Sequence, residues 1–180
     1  MLPIKVPDWD EWDEQSETFV SHKGPFLKLE HSLISISKWE GITHKPYFNS
    51  DKTDGEMLMY IACMVINAEP TLEELSHLGV AELNKIGEYI NDTHTATWFR
   101  EDENKKSPST KVITSEIIYY WMIKAGVPFE CQKWHIERLL TLIRVINEKE
   151  KPPKKIPRKA ALAQQAKLNA QRKARLGTTG

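Results

Sequence analysis

The chain has 180 residues and a mass of 20.8 kDa, 40% hydrophobic and 28% charged, which suits one globular core with an appendage. Its 25 basic and 25 acidic residues cancel only formally: residues 1–150 hold 16 basic and 25 acidic groups, a charge of −9, whereas residues 151–180 hold nine basic groups and no acidic one. No apolar run approaches the ~18–20 residues of a membrane span, Met1 to Glu14 do not read as a secretory signal, and two cysteines, Cys63 and Cys131, cannot build a disulfide framework.

Residues 1–24 concentrate acid and aromatic side chains, with Trp9 and Trp12 set among Asp8, Asp10, Glu11, Asp13 and Glu14. They read as an N-terminal arm, whose tryptophans either dock on a partner or fold back over the chain's own core. From Phe26 to Trp39, apolar Leu27, Leu29, Leu33, Ile34 and Ile36 interleave with Lys28, Glu30, Ser35 and Lys38, a period-2 pattern that predicts one or two strands. Asp54 is placed to cap a helix carrying Leu58, Ile61, Ala62 and Val65 as an i, i+3, i+4, i+7 stripe. Thr71 followed by Glu74 is a capping box that opens a short helix, with Gly79 positioned to end it. A further helix is predicted over Val80 to Ile90 with Leu83, Ile86 and Ile90 inward. Thr93 to Phe99 reads as a short strand or extended segment, and Arg100 to Thr110 as a charged loop.

Residues 114–125 place Ile117, Ile118, Trp121, Met122 and Ala125 at helical spacing, and residues 131–147 do the same with Trp134, Leu139, Leu140, Ile143 and Ile146. Gly126, Val127 and Pro128 break the two apart, which predicts a helical hairpin. Trp121 and Trp134 fall on apolar faces and so belong to the core. The segment from Lys151 to Pro157 holds three prolines and reads as a stiff linker. Beyond it, Arg158 to Leu176 is rich in Ala, Gln, Lys and Arg, a composition of high helix propensity with too thin an apolar stripe to form a core.

Catalytic patterns are missing from this text. Cys131 and His135 stand four apart, but a zinc site needs three or four ligands, and Cys63, His77 and His94 supply no paired spacing. No glycine-rich phosphate loop is present, and no oxyanion-forming loop precedes Cys131 as a nucleophile would require. No cofactor is implied. The basic tail can serve three ends: contact with nucleic acid through phosphate neutralisation, docking on an acidic protein surface such as a neighbouring copy, or solvation. A tail without aromatic residues attached to a body of −9 disfavours the first.

The stretch from Ile113 to Leu142, ITSEIIYYWMIKAGVPFECQKWHIERLLTL, and the ending LNAQRKARLGTTG resemble tail assembly chaperones of long-tailed bacteriophages. In that family an aromatic segment leads into a helix of the form W-x-x-x-R/K-L-x-x-L, matched here by Trp134, Arg138, Leu139 and Leu142, and a basic C-terminal tail follows. The HSLISISKWE and TATWF stretches are also similar to phage proteins of this size. The resemblance covers the last 70 residues and consists of packing patterns. It implies a protein of the host cytoplasm that binds the long helical tape measure protein and keeps it soluble while tail tube subunits assemble. The Phe26–Trp39 strand region is not part of the family pattern, which leaves room for a virion component instead, a tail, baseplate or connector subunit with an extended basic arm.

The expectation is therefore a mainly α protein of the α+β class: an acidic aromatic arm (1–24), a mainly helical domain with a short N-terminal β element (25–150), and a Pro/Lys linker with a basic tail (151–180). Its role is binding and not catalysis. Its partners are the tape measure protein, other tail proteins or further copies of itself, and not a membrane. The candidate binding residues are Trp9 and Trp12 in the arm and Arg158, Lys159, Arg172, Lys173 and Arg175 in the tail.

Overall fold

In a computed structural model that describes residues 1–99, 112–150 and 158–177, and side chains of the last segment from Leu162 onward, the chain divides into two compact units, Met1–Glu148 and Lys149–Gly180. The loop expected over Arg100 to Thr110 and the linker from Lys151 to Pro157 lie outside the described residues. The first unit is a small, mainly α domain of the α+β class. Strand β1 (Leu2–Lys5) pairs antiparallel with β4 (Phe26–Leu29), in a register running from Leu2 opposite Leu29 to Lys5 opposite Phe26. Alternation sends Ile4, Leu27 and Leu29 into the core and leaves Lys5 and Lys28 outside. The bond from Val6 N–H to the Pro25 carbonyl (3.0 Å) extends this pairing. Gly24 permits the approach, since a Cβ there would stand 1.8 Å from the Val6 carbonyl oxygen.

Residues 1–24 belong to the first unit, and of the two readings of the N-terminal arm the strand pairing favours folding back on the chain's own core. Ile4 and Val6 are core residues. The remainder forms a second hairpin, β2 (Trp9–Asp13) against β3 (Thr18–His22), with Trp9 opposite His22 and Trp12 opposite Phe19.

The strand reading fails beyond Leu29. Ser32 accepts from Ser35 N–H and caps helix α1 (Leu33–Thr43). Leu33, Ile36 and Trp39, at helical spacing, are fully buried. This helix touches α2, α5 and the 3₁₀ turn described below, so it is covered from several sides. Burial on several sides removes the polar face that marks a surface helix, and the residual pattern mimics alternation. The outer edge of β4 is closed by residues 65–67: Ile66 N–H donates to the Lys28 carbonyl (3.0 Å), and the Asn67 side chain bonds Lys28 N–H (2.7 Å) and the Phe26 carbonyl (2.9 Å).

Helix α2 (Asp54–Met64) is capped one residue before the expected cap. Thr53 is the cap and Glu56 completes the box, with Glu56 N–H to Thr53 Oγ1 at 3.3 Å and Thr53 N–H to Glu56 Oε2 at 2.9 Å. Asp54 would have faced Met57 three residues on, which cannot reciprocate. Its inward face is Tyr60, Ile61, Cys63 and Met64, with Leu58 and Ala62 partly buried. The Thr71–Glu74 box opens α3 (Leu72–Ser76) as read. Gly79 does not end that helix: His77 does, and extended Gly79 precedes α4 (Val80–Asn91). A Cβ on Gly79 would meet Glu82 Oε2 at 2.7 Å. In α4 the inward residues are Ile86 and Tyr89, Ile90 is partly buried and Leu83 is 38% exposed. Thr93–Phe99 carries no strand.

Helix α5 (Ser115–Lys124) buries Ile118 and Met122, and Gly126 turns the chain at φ +62°. The second helix of the expected hairpin starts late. Phe129–Lys133 is a 3₁₀ turn, Trp134 is extended, and His135 bridges Ser32 before α6 (Ile136–Glu150) begins. The bond from Ile136 N–H to the His31 carbonyl (2.8 Å) holds that entry against α1. Trp121 and Trp134 are partly buried against the core. Both cysteines are buried.

In the second unit, Arg158–Leu176 is one helix, α7, and Gly177 follows it in the left-handed conformation at φ +64°. No helix among the described residues is long and apolar enough to cross a membrane.

Candidate functional site

The β2–β3 hairpin places the N-terminal tryptophans on opposite faces, because neighbours in a strand alternate and Trp9 and Trp12 are three apart. Trp9 turns inward, stacked between His22 (5.2 Å between ring centroids) and His77 (4.4 Å), both at 12° between planes. Trp12 turns outward, 51% exposed, edge-on to Phe19 (5.0 Å), which is 70% exposed. The same stretch of sequence carries Asp8, Asp10, Glu11, Asp13, Glu14 and Glu17, with no Lys or Arg between Lys5 and Lys23; Asp8 pairs with Lys5 (3.1 Å) and Glu11 with His22 (3.3 Å). Asp13 shapes the turn by accepting from Gln15 N–H (3.0 Å) and Ser16 Oγ–H (2.6 Å), which holds its carboxyl below the usual range. Of the two arm tryptophans, then, Trp9 is a packing residue and Trp12 a surface residue.

The tail residues lie in α7. The side chains of Arg158 and Lys159 are outside the described residues. Arg172, Lys173 and Arg175 are exposed and occupy the C-terminal end of the helix, where positive charge complements the macrodipole. Every described side chain of α7 is exposed, including Leu162, Leu168 and Leu176.

Sequence reasoning passed over a polar cluster that only folding assembles. His31 before α1, Tyr89 in α4, His94 after it and His135 before α6 meet edge to face, with His135 5.0 Å from His31, 4.3 Å from His94 and 5.2 Å from Tyr89 between centroids. Tyr89 Oη–H donates to Glu30 Oε1 (2.7 Å). His31 Nδ1 bonds the Tyr60 hydroxyl. His135 Nε2 lies 3.1 Å from the Tyr89 carbonyl, an acceptor, so in the neutral ring Nε2 carries the proton and Nδ1, buried with no hydrogen-bond partner among the described residues, is left as the acceptor. Burial holds His31 down to about 3 and His135 below its usual range. A cavity of about 270 Å³ opens beside the cluster, lined by Glu30, Tyr89, His94, Lys133, His135 and Arg138. Among the described residues no group of three or more His, Cys, Asp or Glu is disposed to hold a metal ion. The extended Trp134 also takes Cys131 and His135 off a common helix face.

An apolar groove of about 410 Å³ runs between α5 and α6, floored by Trp121, Leu140 and Ile143 and edged by Lys124, Arg144 and Asn147. Tyr120 (58% exposed) and Ile123 (64%) are further exposed side chains of α5. Within the motif that begins at Trp134, the Arg138 guanidinium lies over the indole (4.5 Å), Leu139 is buried and Leu142 partly buried. That motif serves packing. Compared with known proteins, the chain matches no family model, no curated protein and no solved structure.

Proposed function

We propose that the chain is a binding protein that acts as a tail assembly chaperone of a long-tailed bacteriophage, working in the host cytoplasm and keeping the tape measure protein soluble until the tail tube encloses it. The observation that carries this reading is the α5–α6 groove, with an apolar floor inside a polar edge. A groove floored by Trp121, Leu140 and Ile143 and edged by Lys124, Arg144 and Asn147 fits an amphipathic helix, whose apolar face would meet the floor. A tape measure protein is a long chain of such helices, which aggregate when their apolar seams stay uncovered. The groove sits in the segment that carries the family resemblance, and the rigid α5 and α6 pre-organise it.

Co-expression with the tape measure protein of the same phage tests the reading. The chaperone should raise the soluble fraction of the tape measure protein and co-purify with it, be abundant in infected-cell lysate, and be missing from finished particles by quantitative mass spectrometry. Substituting Trp121→Ser with Ile123→Asp should abolish co-purification. A fixed copy number in purified virions overturns the proposal and makes the protein a structural subunit.

A further inference from the structure

The two strongest charge features of the chain oppose one another. The β2–β3 hairpin carries six carboxylates between Asp8 and Glu17 and no basic residue except His22, with Trp12 and Phe19 uncovered at its outer face. Helix α7 carries basic residues and no acidic one, and its described side chains are all exposed. A 19-residue helix without a core of its own is marginal in water. We infer that the hairpin of one copy is the docking surface for α7 of a second copy, in a reciprocal two-fold dimer.

Two physical arguments carry the assignment. Arg172, Lys173 and Arg175 cluster at one end of α7, and guanidinium groups suit a surface that offers both carboxylates and the face of an exposed indole. Such an arrangement lets Trp12 and Phe19 cover the aliphatic stems of those side chains. The second argument is the net charge. The whole chain sums to zero while its parts carry −9 and +9, so two copies meet without net repulsion and their unlike regions attract. Reciprocity closes the assembly, because each copy gives one helix and receives one. The inference concerns purified protein alone and does not rest on the tape measure reading.

A charge swap tests it on the full chain. One variant carries Glu11→Lys, Glu14→Lys and Glu17→Lys, which are exposed and spare the turn-forming Asp13. The other carries Arg172→Glu, Lys173→Glu and Arg175→Glu. By light scattering at low salt the native chain should be a dimer of the 20.8 kDa unit, shifting to monomer as salt rises. Each variant alone should be monomeric, with a dissociation constant raised at least tenfold, and an equal mixture of the two should dimerise again. Should the hairpin variant fail to fold, by circular dichroism, Glu14→Gln with Glu17→Gln must still weaken the dimer. A native chain that is monomeric at low salt, a dimer indifferent to both reversals, or a mixture that stays monomeric overturns the inference. A monomer whose tryptophan fluorescence shifts on tail reversal, with the shift lost in Trp12→Phe, overturns it in favour of docking within one chain.

Discussion

His31 is neutral in the folded protein because its ring is sealed between Tyr60, Tyr47 and His135. Burial is the main cause of the depression of its pKa to about 3, and electrostatic interaction with His135, His94 and Lys52 adds to it. In the unfolded chain the same imidazole takes up a proton near its ordinary 6.5. Between those values the unfolded state binds more protons than the native state, so stability rises with pH across the window and is lost as pH falls below 6.5. The upper limit of the slope is about 1.4 kcal/mol per pH unit for one such group. His135, depressed by burial as well, acts with the same sign. Urea midpoints should therefore fall steadily from pH 7 to pH 4.5, and His31→Gln should be less stable at pH 7 yet show a shallower decline. A midpoint that rises on acidification through this window would contradict the neutral, buried imidazole.

At the level of elements, stability rests on caps and cross-links as much as on apolar faces. Glu40, buried in α1, accepts from Tyr47 N–H (2.8 Å) and from Ser115 N–H (2.7 Å), tying α1 to the first turn of α5. Trp39 Nε1–H donates to the Glu56 carbonyl (2.9 Å) and joins α1 to α2. The Thr53–Glu56 box therefore sits where two helices meet. Thr53→Ala should cost about 1 kcal/mol and lower the thermal midpoint by about 2–4 °C, for a domain of this size, as read by differential scanning calorimetry. Thr53→Ser, which keeps the hydroxyl acceptor, should recover most of that loss. The Thr71–Glu74 box was legible in the sequence because a Thr with a Glu three residues on is a local signal, needing nothing from the rest of the chain; Thr53–Glu56 carries the same signal and was passed over for Asp54. The misreading of Asp54 shows how narrow that signal is, since one residue decides which carboxylate can answer the cap.

Taken whole, the chain divides into two compact units, Met1–Glu148 and Lys149–Gly180. Among the described residues, the buried apolar side chains, from Ile4 to Ile143, belong to the first unit. A chain ended after Glu150 should therefore keep the native circular dichroism of the domain and a thermal midpoint within about 3 °C of the full chain, since a peripheral deletion away from core and caps changes stability little. If the inferred dimer forms, the truncated chain also loses the concentration dependence of that midpoint. Loss of the folded state on truncation would place core-forming contacts in residues 151–180.

Local patterns by themselves determined much of this protein: its class, the capping box at Thr71, the helix after Thr114, the turn at Gly126 and the division of charge at residue 150. Each depends on interactions within a few residues or on composition alone. Tertiary structure decided the rest. Helix α1 was hidden because it is buried on several sides, and a helix without a polar face shows no helical period. The fate of Trp9 and Trp12 turned on which face of a hairpin meets His77, a residue far away in sequence. The cluster of His31, Tyr89, His94 and His135 draws on three separate stretches of chain, and the α5–α6 groove exists only once two helices have packed. Residue type states what a side chain can do, but which side chains meet is set by the burial of apolar surface across the whole domain.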